Sequence, residues 1–339
     1  MSQDASGTAA VSVIGAGAWG TTIAWLLANN GHDVRLWTRD RDLADSIARD
    51  RRNAKYLPAL KLQASISPTS DLAVAMSGGP IAFAAVPARA LRGVLKQLTS
   101  LPAAVVSCAK GVEPVDSERG APAFKRLSQV VVEELPEVPA AALSGPNLAS
   151  EIAAGLPAAT TVACESESVA TSVQALLQQS TFRVYTSTDL VGVELGGVMK
   201  NVIAIAAGIC DGLGLGDNAK STIITRGLAE TIRFGVHLGG QERTFYGLAG
   251  LGDVVATCMS PLSRNHEVGF QLALGENIRG SVIGSLTAEG VGTVAALHGY
   301  AAAHGLEMPI TTEVYKVAYE GKDPREAMET LMTRESKAE

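Results

Sequence analysis

Cysteine is scarce in this sequence and poorly placed for chemistry. Cys108, Cys164, Cys210 and Cys258 stand about fifty residues apart, with no C-x-x-C pair. That spacing argues against a disulfide framework and against structural zinc, and suits reduced, small core residues in a cytoplasmic protein. His32, His237, His266, His298 and His304 are scattered and form no H-x-x-x-H or other metal spacing. No metal site is expected, and the histidines are assigned no chemistry. A basic excess is also missing: the formal net charge is −6. That argues against a nucleic-acid partner, while small phosphorylated ligands stay open. No run reaches the roughly eighteen apolar residues of a membrane span. The opening MSQDASGTAA lacks the basic start of a signal peptide. Low-complexity segments and internal repeats are absent as well.

What is present is the balance of a soluble globular protein. Apolar residues make up 47% and charged residues 18% of 339, a chain long enough for two domains with cores of their own. In the first half, short apolar runs with strand composition (10–14, 34–37, 81–86, 103–108, 140–143, 159–164 and 182–185) alternate with helical stretches such as 88–98 and 124–135. That alternation predicts a mostly parallel sheet covered on both faces. From about residue 189 the strand punctuation stops. Long helical segments follow over 189–210, 218–238, 263–275, 287–304 and 310–333. The expected architecture is an α/β Rossmann-type domain over 1–188 and an all-α domain over 189–339.

Gly15-Ala-Gly17-Ala-Trp-Gly20 is G-x-G-x-x-G directly after a strand and opening a helix. The first glycine allows the tight turn and the second lets the backbone approach a pyrophosphate. The third lets helix and strand pack closely, and the helix N-terminus faces the anion. This predicts dinucleotide binding. At the end of the second strand, Trp37-Thr38-Arg39-Asp40 puts Arg39 roughly where an NAD-specific site tends to carry an acid. A cation there suits a 2′-phosphate, so NADP is favoured, while Asp40 keeps NAD open. Cys108-Ala-Lys110-Gly111 and Ser144-Gly-Pro-Asn147 each follow a strand, at the sheet end where open α/β folds bind ligands. Gly247-Leu-Ala-Gly250-Leu-Gly252-Asp253 ends in a carboxylate. Ser263-Arg264-Asn265 combines a hydroxyl, a guanidinium and an amide, a good oxyanion kit that is also compatible with an ordinary capped helix start.

The stretch ELGGVMKNVIAIAAGIC, residues 194–210, is apolar on every side and reads as a buried helix, yet carries Lys200 and Asn201 in its middle. A buried lysine needs a partner. Gly196 and Gly197 lie on the face over which the Lys200 side chain leans, leaving room for a ligand or another backbone. Burial lowers a lysine pKa and a neighbouring carboxylate such as Asp253 raises it, so the pair is tunable.

In order and spacing, GAGAWG, NAKYLP (53–58), VP (86–87), CAKG, SGPN, ELGGVMKN, GLAGLGD, SRN and MPIT near 308 resemble the bacterial-type, cytosolic NAD(P)-dependent glycerol-3-phosphate dehydrogenases over nearly the whole chain. The resemblance implies a Rossmann-type domain followed by a helical one. The implied reaction is reversible reduction of dihydroxyacetone phosphate to sn-glycerol 3-phosphate, which supplies phospholipid backbones. It also implies Lys200 as catalytic acid/base, with Lys110 and Asp253 beside it. Gly145, Asn147, Asn201, Ser263, Arg264 and Asn265 would hold the substrate with them. Gly15, Gly17, Ala18, Trp19, Gly20, Arg39, Tyr56, Pro87, Lys110, Ala149, Arg264 and Glu289 would contact the cofactor. Asn147 departs from the Thr or Ser frequent in bacterial members, and its amide still offers a donor. Two alternatives remain: a hydroxyacid dehydrogenase of the same superfamily, and a non-catalytic NADP sensor, which gives no reason for Lys200, Asp253 and Arg264. Assembly is not legible, with a homodimer left open.

Overall fold

The computed structural model describes residues 10–116, 122–280 and 289–335. The opening polar segment and residues 287–288 of the expected 287–304 helix lie outside them. Two compact units divide the chain, and they are not contiguous in sequence. The first holds Met1–Ala109, Leu127–Leu143 and Asn147–Leu190; the second holds Lys110–Arg126, Ser144–Pro146 and Val191–Glu339.

In the first unit strands and helices alternate in chain order: β1 (Ala10–Ile14), α1 (Ala18–Asn29), β2 (Asp33–Trp37), α2 (Arg41–Asp50), β3 (Ile66–Thr69), α3 (Leu72–Met76), β4 (Ile81–Ala84), α4 (Ala88–Leu95) and β5 (Ala104–Ser107). A hairpin of the second unit, β6 (Val112–Asp116) and β7 (Pro122–Arg126), interrupts the series. It resumes with α5 (Leu127–Glu134), β8 (Ala140–Ser144), α6 (Ala149–Ala153), β9 (Ala158–Cys164), α7 (Glu167–Leu177) and β10 (Phe182–Ser187). The eight-stranded sheet runs β10-β9-β8-β5-β4-β1-β2-β3, and β3-β2-β1-β4-β5-β8 pair in parallel, as do β9 and β10. Successive side chains of a strand point to opposite faces. Accordingly Val11, Val13 and Phe83 belong to one apolar cluster, and Ile14, Ala82 and Ala84 to another. Strand order reverses between β1 and β4, the switch point at which open α/β sheets bind ligands.

The second unit is built on α8 (Leu190–Gly212), followed by α9 (Gly216–His237), α10 (Glu242–Phe245), a π-helical turn (Leu248–Gly252), α11 (Asp253–Met259), α12 (Arg264–Ala273), α13 (Gly290–Ala303), α14 (Pro309–Tyr315), a second π-helical turn (Lys316–Glu320) and α15 (Pro324–Met332). By length and composition α8 could cross a membrane, but 89% of its most apolar window is buried inside the protein, as befits a core helix. Helix α12 presses against α8 at glycines. A Cβ on Gly269 would meet the Ile205 carbonyl oxygen at 1.9 Å, and one on Gly208 would meet that of His266 at 2.0 Å.

Two local expectations are corrected, and one strand was not expected. The 124–135 stretch is helical only from Leu127, because Phe124 belongs to β7 and packs with Phe234 and Tyr300, at ring-centroid distances of 6.0 and 5.1 Å. Packing of that half-buried ring outweighs local helix preference. The 310–333 stretch breaks at Gly321, whose φ is +73°, and restarts at Pro324 with Asp323 as its cap. Strand β3 escapes sequence patterning because it contains Pro68, tolerated here at a sheet edge.

Gly269→Ala forces the α8 and α12 backbones apart and should cost about 1–3 kcal/mol. Thermal unfolding reads the loss; an unchanged midpoint would show that the contact can relax freely.

Candidate active site

At the β1–α1 turn of the first unit the three glycines do different things. Gly15 sits at φ +113°, and a Cβ there would meet the Ala85 carbonyl oxygen at 2.6 Å; one on Gly20 would meet the Gly15 oxygen at 1.8 Å. These two are required by packing. Gly17 has ordinary backbone (φ −74°, ψ −178°) and open space where its side chain would be. It caps α1 without a side-chain hydrogen bond, and no acid occupies the first turn, so first-turn N–H groups are left for an anion. Trp19 has a buried Nε1 with no hydrogen-bond partner among the described residues. Open backbone, unspent donors and an orphaned indole N–H fit a dinucleotide pyrophosphate. Around the unit, Ala149 opens α6, Pro87 precedes α4, and Arg39 and Tyr56 are exposed.

In the second unit the carboxylate of Asp253, 2% exposed, gathers a cluster. Lys110 Nζ donates to its Oδ2 at 2.5 Å and to the Gly145 carbonyl at 2.7 Å. Thr257 Oγ1 donates to Oδ1 at 3.2 Å and accepts from Lys200 Nζ at 3.0 Å, while Lys200 Nζ itself lies 3.9 Å from Oδ1. Burial lowers the Lys200 pKa to about 8; the Asp253 charge partly restores it and the Lys110 ammonium opposes that. The room beside Lys200 is filled by chain. A Cβ on Gly196 would meet the Ala249 carbonyl oxygen at 2.4 Å, and one on Gly197 would meet Ser144 Oγ at 2.6 Å. Gly196 therefore lets the π-helical turn before Asp253 lie against α8, which brings carboxylate and lysine together.

A chain of amides fixes the rest. Asn201 Nδ2 donates to the Lys110 carbonyl at 2.6 Å, Asn265 Nδ2 to Asn201 Oδ1 at 2.7 Å, and Gly290 N to Asn265 Oδ1 at 3.1 Å. Glu289, beside Gly290, is the residue before α13. Ser263 is the N-cap of α12, its Oγ accepting from His266 N at 3.2 Å, so its hydroxyl first serves the helix. Arg264 is exposed at the first position of that helix. The imidazole of His266, with Lys220, sits on Asp211 Oδ2, each at 2.7 Å, and ties α12 to α8 and α9.

The helical unit thus brings together Lys110, Gly145, Lys200, Asn201, Asp253 and Asn265, with Ser263 and Arg264 on the adjoining turn. Asn147 belongs to the other unit, where its Nδ2 donates to Thr160 Oγ1 at 2.9 Å and its Oδ1 is buried without a partner among the described residues. Two residues were missed by sequence reading. Thr257 stands four places after Asp253 on one helix face, a spacing that could have revealed it. Asn53, fully buried, holds the NAKYLP loop, and only long-range contacts show its role.

A mostly parallel sheet with a dinucleotide turn at its switch point, joined in one chain to a helical unit with a lysine–carboxylate cluster, defines a nicotinamide-dependent dehydrogenase. Residues 10–170 match the model of the NAD-dependent glycerol-3-phosphate dehydrogenase N-terminus and residues 189–329 that of its C-terminus. The chain belongs to this family. It is 46% identical over 332 residues to the glycerol-3-phosphate dehydrogenase (NAD(P)+) of Streptomyces avermitilis, covering 97% of each chain. To the enzyme of that name from Nitratidesulfovibrio vulgaris it is 43% identical over 335 residues, covering 97% of this chain and 99% of the relative. The crystal structure of glycerol-3-phosphate dehydrogenase from Coxiella burnetii superposes with a TM-score of 0.88 at 36% identity, covering 96% of this chain and 98% of that one.

Two substitutions separate packing from chemistry. Gly17→Ala enters open space, so its midpoint of unfolding should hold while nucleotide affinity, read by calorimetry, falls at least about tenfold, or about 1.4 kcal/mol. Retained affinity would remove Gly17 from the anion site. Lys200→Met should stabilise the fold at neutral pH. Below pH 8 the lysine is protonated folded and unfolded, and the folded state carries the full burial cost. Between about 8 and the ordinary 10.5 the folded state sheds its proton and the cost fades. The gain should be on the order of 1–3 kcal/mol at pH 7 and vanish above pH 10.5. Denaturant titrations across that range measure it; a gain independent of pH would rule out the buried cation as its cause.

Proposed function

We propose that this protein interconverts dihydroxyacetone phosphate and sn-glycerol 3-phosphate, using NADPH or NADH, with NADP favoured. Lys200 carries the reading: a buried amine with its pKa lowered to about 8, held by Thr257 beside Asp253, is poised to give or take a proton near neutral pH. The names borne by the Streptomyces and Nitratidesulfovibrio relatives support the substrate pair. Residues 1–188, apart from the segments 110–126 and 144–146 that group with the helical unit, serve as the nucleotide-binding part, and 189–339 as the helical catalytic part.

When bound, the nicotinamide supplies hydride to the substrate carbonyl carbon in reduction and accepts it back in oxidation. Lys200 gives its proton to the carbonyl oxygen, or takes it from the hydroxyl in reverse. Lys110, its ammonium fixed by Asp253 and the Gly145 carbonyl, stabilises the developing alkoxide. Asp253 keeps the two cations close despite their repulsion. Arg264 and Asn265, at the start of α12, hold the phosphate, aided by the helix dipole. Asn147 and Ser263 complete the substrate set, and Asn201 acts through its bond to the Lys110 carbonyl. Ala18, Trp19, Arg39, Tyr56, Pro87, Ala149 and Glu289 are the cofactor contacts, with Lys110 and Arg264 shared. The product supplies phospholipid backbones, the compartment is the cytoplasm, and a homodimer is the assembly to test.

Lys200→Met should lower kcat on the order of 10²–10⁴-fold while nucleotide binding persists. In the wild type, reduction needs the protonated amine and should decline as pH rises through about 8, whereas oxidation should gain over the same interval. Activity within a few-fold of wild type would remove Lys200 from the mechanism. Arg264→Ala should lose about 10²-fold or more in kcat/KM with dihydroxyacetone phosphate, from about 3 kcal/mol of charged hydrogen bonding. Unphosphorylated dihydroxyacetone should be nearly indifferent apart from the contact Arg264 makes with the cofactor, and added phosphite should activate only the wild type. Equal slowing of both substrates would place the phosphate elsewhere.

A further inference from the structure

The loop at 53–58 is fastened to the dinucleotide turn. Asn53, fully buried, donates from Nδ2 to the Ala16 carbonyl at 2.9 Å and to Thr21 Oγ1 at 2.8 Å. Ala16 lies between Gly15 and Gly17, so loop and glycine turn share one anchor. The loop closes on itself, with Tyr56 N and Leu57 N donating to the Asn53 carbonyl at 3.3 and 2.9 Å. At its tip Lys55 extends so that Nζ lies 3.8 Å from Asp40 Oδ2 and 5.4 Å from the Tyr56 ring centroid. Asp40 Oδ1 is already occupied, accepting from Leu43 N at 3.0 Å as the cap of α2.

Asp40 is the acid that kept NAD open in the sequence, since an acid near the end of the second strand serves the ribose 2′-hydroxyl. Here one of its oxygens serves a helix and the other faces a lysine. A 2′-phosphate brought to Arg39 would meet repulsion from Asp40 if that charge stood alone. Lys55 offsets it, and as an exposed ammonium on a flexible stem it can turn to a phosphate oxygen. We infer that Lys55 determines cofactor specificity: it cancels the charge of Asp40 and joins Arg39 as a second cation for the 2′-phosphate of NADP. This rests on the reading that the end of β2 receives the adenine ribose.

Calorimetric titration with NADP+ and NAD+, without substrate, tests both levels, because the two ligands differ only in that phosphate. Lys55→Met should weaken NADP+ about fivefold, the scale of an exposed ion pair. NAD+ should change less than about twofold, and Lys55→Arg should restore the preference. Asp40→Asn, which keeps the helix cap, should recover part of the loss in the Lys55→Met background. Arg39→Ala serves as reference and should weaken NADP+ alone, about tenfold or more. Equal losses for both ligands in Arg39→Ala would overturn the placement of the ribose, and this inference with it. If Arg39→Ala is selective but Lys55→Met weakens both ligands alike, or neither, the ribose placement stands and the role of Lys55 is wrong. Failure of Asp40→Asn to recover any affinity would overturn the charge-cancelling half.

Discussion

One buried carboxylate organises the helical unit. Asp253 binds the Lys110 ammonium through one oxygen and the Thr257 hydroxyl through the other, and Thr257 holds Lys200. Without Asp253, two cations would share a poorly solvated space and repel each other; without the cations, its own burial would be costly. The arrangement satisfies all three groups and leaves Lys200 the less tightly held lysine, 3.9 Å from the nearer carboxylate oxygen. A proton that must leave and return during a reaction is best kept on such a group. The lysine in direct contact with the carboxylate suits the role of a fixed charge.

Close backbone packing makes this geometry rigid. Gly196 admits the carbonyl of the π-helical turn, and Gly208 and Gly269 let α8 and α12 meet backbone to backbone. Glycine inside helices costs stability, so these positions are explained by what a Cβ would strike. The amides of Asn201 and Asn265 then connect the Lys110 carbonyl, α8, α12 and the start of α13 in one buried chain. In the first unit the same economy recurs. Gly15 and Gly20 pack the turn, Gly17 leaves it open, and Asn53 ties the loop bearing Lys55 to it.

The sequence by itself determined the strand–helix alternation, the dinucleotide turn and the residue types of the site, because periodicity and glycine spacing are local properties. It also marked Lys200 as anomalous, since a charge within an apolar helix conflicts with its surroundings wherever the helix lies. Only the tertiary structure decided how those residues are used. The division into units sends Lys110–Arg126 and Ser144–Pro146 to the helical side, a grouping of contacts that no linear pattern carries. Phe124 became a strand residue because rings distant in the chain pack against it. Ser263 reads as a ligand or as a cap and Asp40 as a ligand, and the backbone N–H groups three residues on made both of them caps. Thr257, Asn53 and Lys55 looked ordinary, because what distinguishes each is a partner far along the chain or in another element. Such pairings come from packing, whose energy depends on three-dimensional proximity, and local sequence does not encode that proximity.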